Sequence, residues 1–197
     1  MMKLFPLTFA LCLVTATAAC GQTMKKPDIK LNPDPKLRYE VTLTIDEDVP
    51  GPFESVIAFS YYETDDKCVP MQPISGAKLQ ARHHADVALR QTGPRTYQGT
   101  VYLDLVQDED YYGLGVCRWS LMSFNAQMKA GEIRFGAGIG GDEIAAGKPR
   151  TEYYPKAAYG KTEIPNRFVP GDPEHQGVRN KRSNFFTTTL TPSEVLR

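Results

Sequence analysis

The sequence predicts an all-β protein, an antiparallel β-sandwich with one disulfide and a long irregular C-terminal loop. Three observations carry the prediction. Between residues 38 and 139 apolar and polar side chains alternate in short runs, the period of half-buried strands. Pro, Gly and acidic clusters separate those runs at near-regular intervals, as turns separate the strands of a sandwich. A glycine-punctuated acidic stretch, Asp108 to Gly115, leads into Cys117 and the only tryptophan, Trp119.

At 197 residues the expectation is one domain with an appendage. Residues 1–19 read as an export signal: Lys3 gives a short positive start, Leu4 to Val14 is mostly apolar, and Thr15 to Ala19 is small. The apolar part is shorter than the roughly 20 residues a bilayer span needs. Small residues directly before Cys20, with Gly21-Gln22 after it, resemble the bacterial lipobox, in which the cysteine is diacylated and becomes the new N-terminus. Thr17 stands where leucine is commonest, and cleavage after Ala18 is the alternative. Gly21, rather than Asp, resembles outer-membrane sorting in Gram-negative bacteria. Of four cysteines, Cys12 leaves with the signal and Cys20 takes lipid. Cys68 and Cys117 remain, and in an oxidising periplasm such a pair is expected to be a disulfide.

Residues 20–37, polar and with Pro27, Pro33 and Pro35, read as a tether from membrane to domain, leaving 38–197 as one β-sandwich domain. Arg38–Ile45 alternates strictly and predicts the first strand; Asp46 to Pro52 is a turn. Phe53–Tyr62 predicts the second, with Ile57, Phe59 and Tyr61 on one face. Asp86–Arg90 reads as one short strand, followed by a turn at Gly93-Pro94. Thr96–Leu105 is the clearest strand, with Tyr97, Gly99, Val101, Leu103 and Leu105 pointing in. Gly115–Met128 and Gly131–Ile139 follow, and Asn184–Leu190 closes the series. Residues 140–183 lack periodicity and predict a long loop, with short helical turns as the only structure expected inside it.

Formal net charge is zero and no RNA- or DNA-binding signature is present, so no nucleic-acid partner is expected. The acidic cluster fails EF-hand spacing, because Tyr112 and Trp119 stand where oxygen ligands belong. His83 and His84 are adjacent and point to opposite faces of a strand, so they are not a chelating pair. No nucleophile elbow, zinc-protease motif or phosphate loop occurs. Neither a metal, a cofactor nor an enzymatic activity is therefore expected. The tyrosines are more informative, since exposed tyrosine suits protein contact. The residues expected to touch a partner are Asp108, Glu109, Asp110 and Tyr111 in the acidic turn, and Tyr153, Tyr154, Tyr159 and Phe168 in the long loop.

Several pieces together resemble a known group. They are Gly51-Pro52-Phe53, Cys68-Val69-Pro70 with Pro73 and Ser75-Gly76-Ala77, Tyr97-x-Gly99, and Asp108 to Gly113 running on through Val116-Cys117-Arg118-Trp119. Over roughly residues 37–139 the chain resembles small periplasmic lipoproteins of Xanthomonas- and Burkholderia-type bacteria that look like immunity proteins. The resemblance implies a protein anchored to the outer membrane on its periplasmic side. There it would bind and neutralise a secreted type VI or type IV effector, often a lipase or phospholipase. The alternative is an envelope lipoprotein that inhibits lysozyme or binds an envelope polysaccharide or assembly partner.

Overall fold

The structure is a computed structural model that describes residues 27–160, 167–173 and 181–195. The export signal, Cys20, His175 and Arg179 lie outside these residues. Among the described residues the strands are β1 (Arg38–Ile45), β2 (Ser55–Thr64), β3 (Arg82–Val87), β4 (Leu89–Gly93), β5 (Thr96–Tyr102), β6 (Trp119–Ala130), β7 (Ile133–Gly140), β8 (Arg150–Pro155), β9 (Arg167–Pro170) and β10 (Phe185–Glu194), with a short α-helix, α1 (Gly141–Ala145), and 3-10 turns at Lys156–Ala158 and Arg182–Asn184.

They form two five-stranded sheets, ordered β4-β5-β1-β10-β8 and β3-β2-β6-β7-β9. β1 is central to the first sheet because its alternation supplies a complete inward face, Tyr39, Val41, Leu43 and Ile45, all buried. In the second sheet, where β6 is central, β7 supplies an equally complete inward face with Ile133, Phe135, Ala137 and Ile139. Between them Phe135 is the hub of an aromatic cluster, with Phe186, Tyr154, Phe53 and Tyr159 at centroid distances of 5.3, 5.7, 5.9 and 6.2 Å.

One predicted strand is in fact two. Asp86–Arg90 keeps its alternation through Val87 and Leu89, but the chain changes sheets at Ala88, from pairing with β2 to pairing with β5. This crossing nearly closes one side of the sandwich. It also explains Gly99, where a Cβ would lie 2.8 Å from the Val87 side chain. In β6 an irregularity opposite Tyr61 and Tyr62 shifts the phase, so the inward set runs Trp119, Leu121, then Phe124, Ala126 and Met128.

Residues 140–183 are not the unbroken loop expected. They contain α1, β8 and β9; β8 extends the first sheet antiparallel to β10, and β9 runs parallel to β7 at the edge of the second. The signal was hidden because β8 buries Glu152 and Tyr154, a carboxylate where an apolar residue is looked for, and β9 is four residues long. Where β9 ends, Glu152 takes over its role. Its Oε2 accepts the Gly138 N–H at 3.1 Å, and the Tyr154 hydroxyl lies 2.9 Å from the Gly136 carbonyl.

Burial raises the Glu152 carboxyl above its ordinary value of 4.5, against the opposing pull of the Gly138 N–H. The folded chain therefore holds this proton more tightly than the unfolded chain. The group's contribution to stability is full below pH 4.5 and is lost as pH rises through the raised folded value. Glu152→Gln keeps an acceptor for Gly138 and removes the charge. Relative to that variant, the native chain is expected to lose stability from mildly acidic to neutral pH, measured as the difference in urea midpoints. A difference flat in pH contradicts the assignment.

The tether is also shorter than expected. Residues 30–37 are pinned to the segment that leaves β5: the Asn32 N–H donates to the Leu105 carbonyl, Leu31 bridges to Val106, and the Lys36 and Leu37 N–H groups donate to Asp104 at 2.8 and 3.0 Å.

Candidate functional site

Two surfaces stand out. The first is the end of the sandwich where β1 begins and β2 and β5 finish. Two long connections meet there, residues 65–81 and 103–118, and the Cys68–Cys117 disulfide ties them together with Cα atoms 5.0 Å apart. The bond does not lie in the sandwich core. With Val69 it forms a small separate cluster, against which Tyr111 and Tyr112 pack. Gly113 and Gly115 carry the turn into Cys117 at φ of 72° and 105°, a region that favours glycine.

The acidic cluster builds this turn. Asp108 Oδ1 accepts the Trp119 N–H at 2.9 Å, and its Oδ2 lies 3.5 Å from Arg118. Asp110 Oδ1 accepts the N–H groups of Tyr112 and Leu114. Glu109 holds Lys30 at 2.7 Å, which raises the lysine's pKa. These carboxylates are engaged with the chain's own groups. Among the described residues no group of three or more His, Cys, Asp or Glu side chains is placed to hold a metal ion. Next to the pinned segment is a cleft of about 580 Å³ lined by Asn32, Asp104, Asp108, Trp119 and Asp142 among others.

The second surface is the outer face of the β3-β2-β6-β7-β9 sheet. On β2 the inward residues are the small or polar set Ala58, Ser60 and Thr64 with Tyr62, while Ile57, Phe59 and Tyr61 face out. Ile57 is 53% exposed and Tyr61 42% exposed, which places apolar bulk in solvent rather than in the core. Phe59, Tyr61 and His84 touch one another, with centroids 5.4, 5.3 and 5.1 Å apart. Met122, on β6 at the irregularity, is exposed beside them. Across the sheet, Gly136 and Gly138 leave β7 flat, and the Phe168 ring lies over Gly136, where a Cβ would come within 2.3 Å of it. Phe59 and Phe168 thus face a shared depression of about 260 Å³, whose other walls include Asn125, Gln127 and Glu152.

The residues expected to touch a partner are not brought together. Asp108 to Tyr111 sit at the disulfide end. Tyr159 is at the opposite end, its hydroxyl donating to the Pro52 carbonyl. Tyr153 is half-buried under Arg182, whose guanidinium stands 5.5 Å from the ring. Tyr154 is fully buried and is removed from the set, because its hydroxyl and ring are both consumed by the core. Phe168 alone joins the aromatic face. Ile57, Phe59 and His84 were missed; the only signal was that Ile57, Phe59 and Tyr61 share a face, and alternation does not tell which face is wet. No protein family, curated protein or solved structure matches this chain.

Proposed function

We propose that this chain is an immunity lipoprotein. It is exported, anchored through Cys20 to the periplasmic side of the outer membrane, and binds and neutralises a secreted antibacterial effector of the lipase or phospholipase class. The resemblance over residues 37–139 supports the class. The observation that carries a binding role is the outward strip Ile57, Phe59 and Tyr61 with His84, whose rings are in mutual contact on a strand face the core does not use. Rings held on sheet strands have few rotamers to freeze when a partner covers them, so little of the contact energy is lost to ordering. The chain acts in this reading by occlusion and performs no chemical step of its own.

The test is contact-dependent competition between sibling strains. A strain lacking the gene is expected to be outcompeted by its parent, and the native gene to restore survival. A Phe59→Ala/Tyr61→Ala gene, expressed to the same level in the envelope, is expected to fail. Both side chains face solvent, so the loss would report binding rather than folding. Equal survival of the deletion strain and its parent overturns the reading.

A second reading has its own observation. Phe59 and Phe168 line one depression together with the amides of Asn125 and Gln127 and the carboxylate of Glu152. Aromatic faces beside planar polar groups suit a sugar ring, which would make the chain a binder of envelope polysaccharide. Phe168→Ala would then abolish retention on isolated cell-wall glycan while leaving sibling competition unchanged.

A further inference from the structure

The disulfide end carries an excess of exposed apolar side chains that the core does not explain. Met71, Ile74 and Leu79 in one connection and Leu114 and Val116 in the other are all more than half exposed among the described residues. Ile74 is fully exposed, in the turn of a small hairpin closed by the Met71–Lys78 bridge and by the Gln72 N–H donating to Ala77. Both connections are held rigidly by Cys68–Cys117, so the side chains are presented on a fixed frame.

The chain enters the domain at this same end. Lys30 pairs with Glu109, its N–H reaches the Tyr111 hydroxyl, and Gln107 donates to the Lys30 carbonyl. Only six residues lie between Cys20 and Pro27, the first described residue. Fully extended, the seven residue-to-residue steps span about 25 Å. The ten-residue strands β2 and β10 are each about 33 Å long, so the opposite end, with residues 46–54 and 93–96, is out of reach of a membrane that holds Cys20.

We infer that the disulfide-stapled end docks on the lipid surface itself, with Ile74, Leu114 and their neighbours entering the headgroup and acyl boundary. This rests on the anchoring of Cys20 in the function proposed above. Docking of this kind leaves the aromatic face of the β3-β2-β6-β7-β9 sheet standing upright in the periplasm, open to a partner. The two connections carry Asp65, Asp66, Asp104, Asp108, Glu109 and Asp110 against Lys67, Lys78 and Arg118, so charge does not draw this end to an anionic surface, and the attraction is apolar and is not weakened by salt.

The test couples Cys20 of the chain from Cys20 onward to a maleimide phospholipid in phosphatidylethanolamine/phosphatidylglycerol vesicles, after the Cys68–Cys117 disulfide has formed. Amide hydrogen exchange is compared with the same chain capped by N-ethylmaleimide in solution. Exchange across residues 70–80 and 112–117 is expected to slow several-fold on the vesicles, at low and at high salt. Residues 46–54 and 93–96 are expected not to change. Ile74→Ser/Leu114→Ser, which alters only exposed positions, is expected to lose the protection while keeping the rest of the exchange pattern. Equal exchange of the two loops on and off the vesicles overturns the inference, as does protection of the far end. Because the lipid is attached chemically, this outcome does not depend on whether the cell acylates Cys20, which is read separately from the mass of the native protein.

Discussion

Replacing Cys68 and Cys117 together by alanine is expected to lower the stability of the domain by about 4 kcal/mol. The two residues are 49 apart in sequence, and in the chain-entropy picture a closed loop of that length removes about this much freedom from the unfolded chain. For a domain of this size the loss corresponds to a fall of about 10 °C in melting temperature. Because the bond sits in a small cluster apart from the sandwich core, a second effect is expected. Residues 65–81 and 103–118 lose their mutual support, and their amides exchange faster than those of β1 and β7 in the variant under native conditions. A melting temperature within a degree or two of the native value would mean that packing of Tyr111 and Tyr112 alone holds the two connections.

Phe135→Ala is expected to cost about 3–5 kcal/mol, the range for removing a large aromatic from a packed core. Phe135 is wholly buried and makes ring contacts with Phe53, Tyr154, Tyr159 and Phe186. Two of these partners, Tyr154 and Tyr159, come from residues 140–183, so the cavity would loosen the attachment of β8 and of the Tyr159 turn as well as the sheet-to-sheet contact. Urea unfolding followed by far-ultraviolet circular dichroism measures the loss. Phe135→Leu, which refills most of the space, is expected to lose much less. Equal losses for the two variants would show that the aromatic contacts, rather than the volume, are what the site needs.

The strands legible in the sequence are those with one buried and one wet face of the ordinary kind. β1 and β7 announce themselves, because Tyr39, Val41, Leu43 and Ile45, and likewise Ile133, Phe135, Ala137 and Ile139, repeat at every second position. What stayed hidden depends on long-range partners. Ala88 lies within unbroken alternation and still separates two strands, because sheet membership is decided by β2 and β5 and not by local pattern. Glu152 reads as a surface residue, and its burial makes sense only beside the Gly138 N–H that β9 leaves uncovered. The candidate site was obscured by the same cause. Tyr61-Tyr62 and Tyr153-Tyr154 do split into an inner and an outer member, as a strand requires. Yet on β2 the set Ile57, Phe59 and Tyr61 is the outer one, and the inner face is made by Ala58, Ser60, Tyr62 and Thr64. The acidic turn misled in the opposite direction. Four carboxylates in seven residues look like a charged patch, and nothing local reveals that Asp104, Asp108 and Asp110 are spent on backbone N–H groups and Glu109 on Lys30.

The most direct measurement is the mass of the native protein extracted from the cell envelope, with peptide mapping of its N-terminus and cysteines. An anchored, rigid binder requires a chain that begins at Cys20 carrying acyl groups, with Cys68 and Cys117 recovered as one disulfide-linked pair. A chain beginning at Ala19 or Met1 with an unmodified Cys20, or one in which Cys68 and Cys117 are both free thiols, would contradict it.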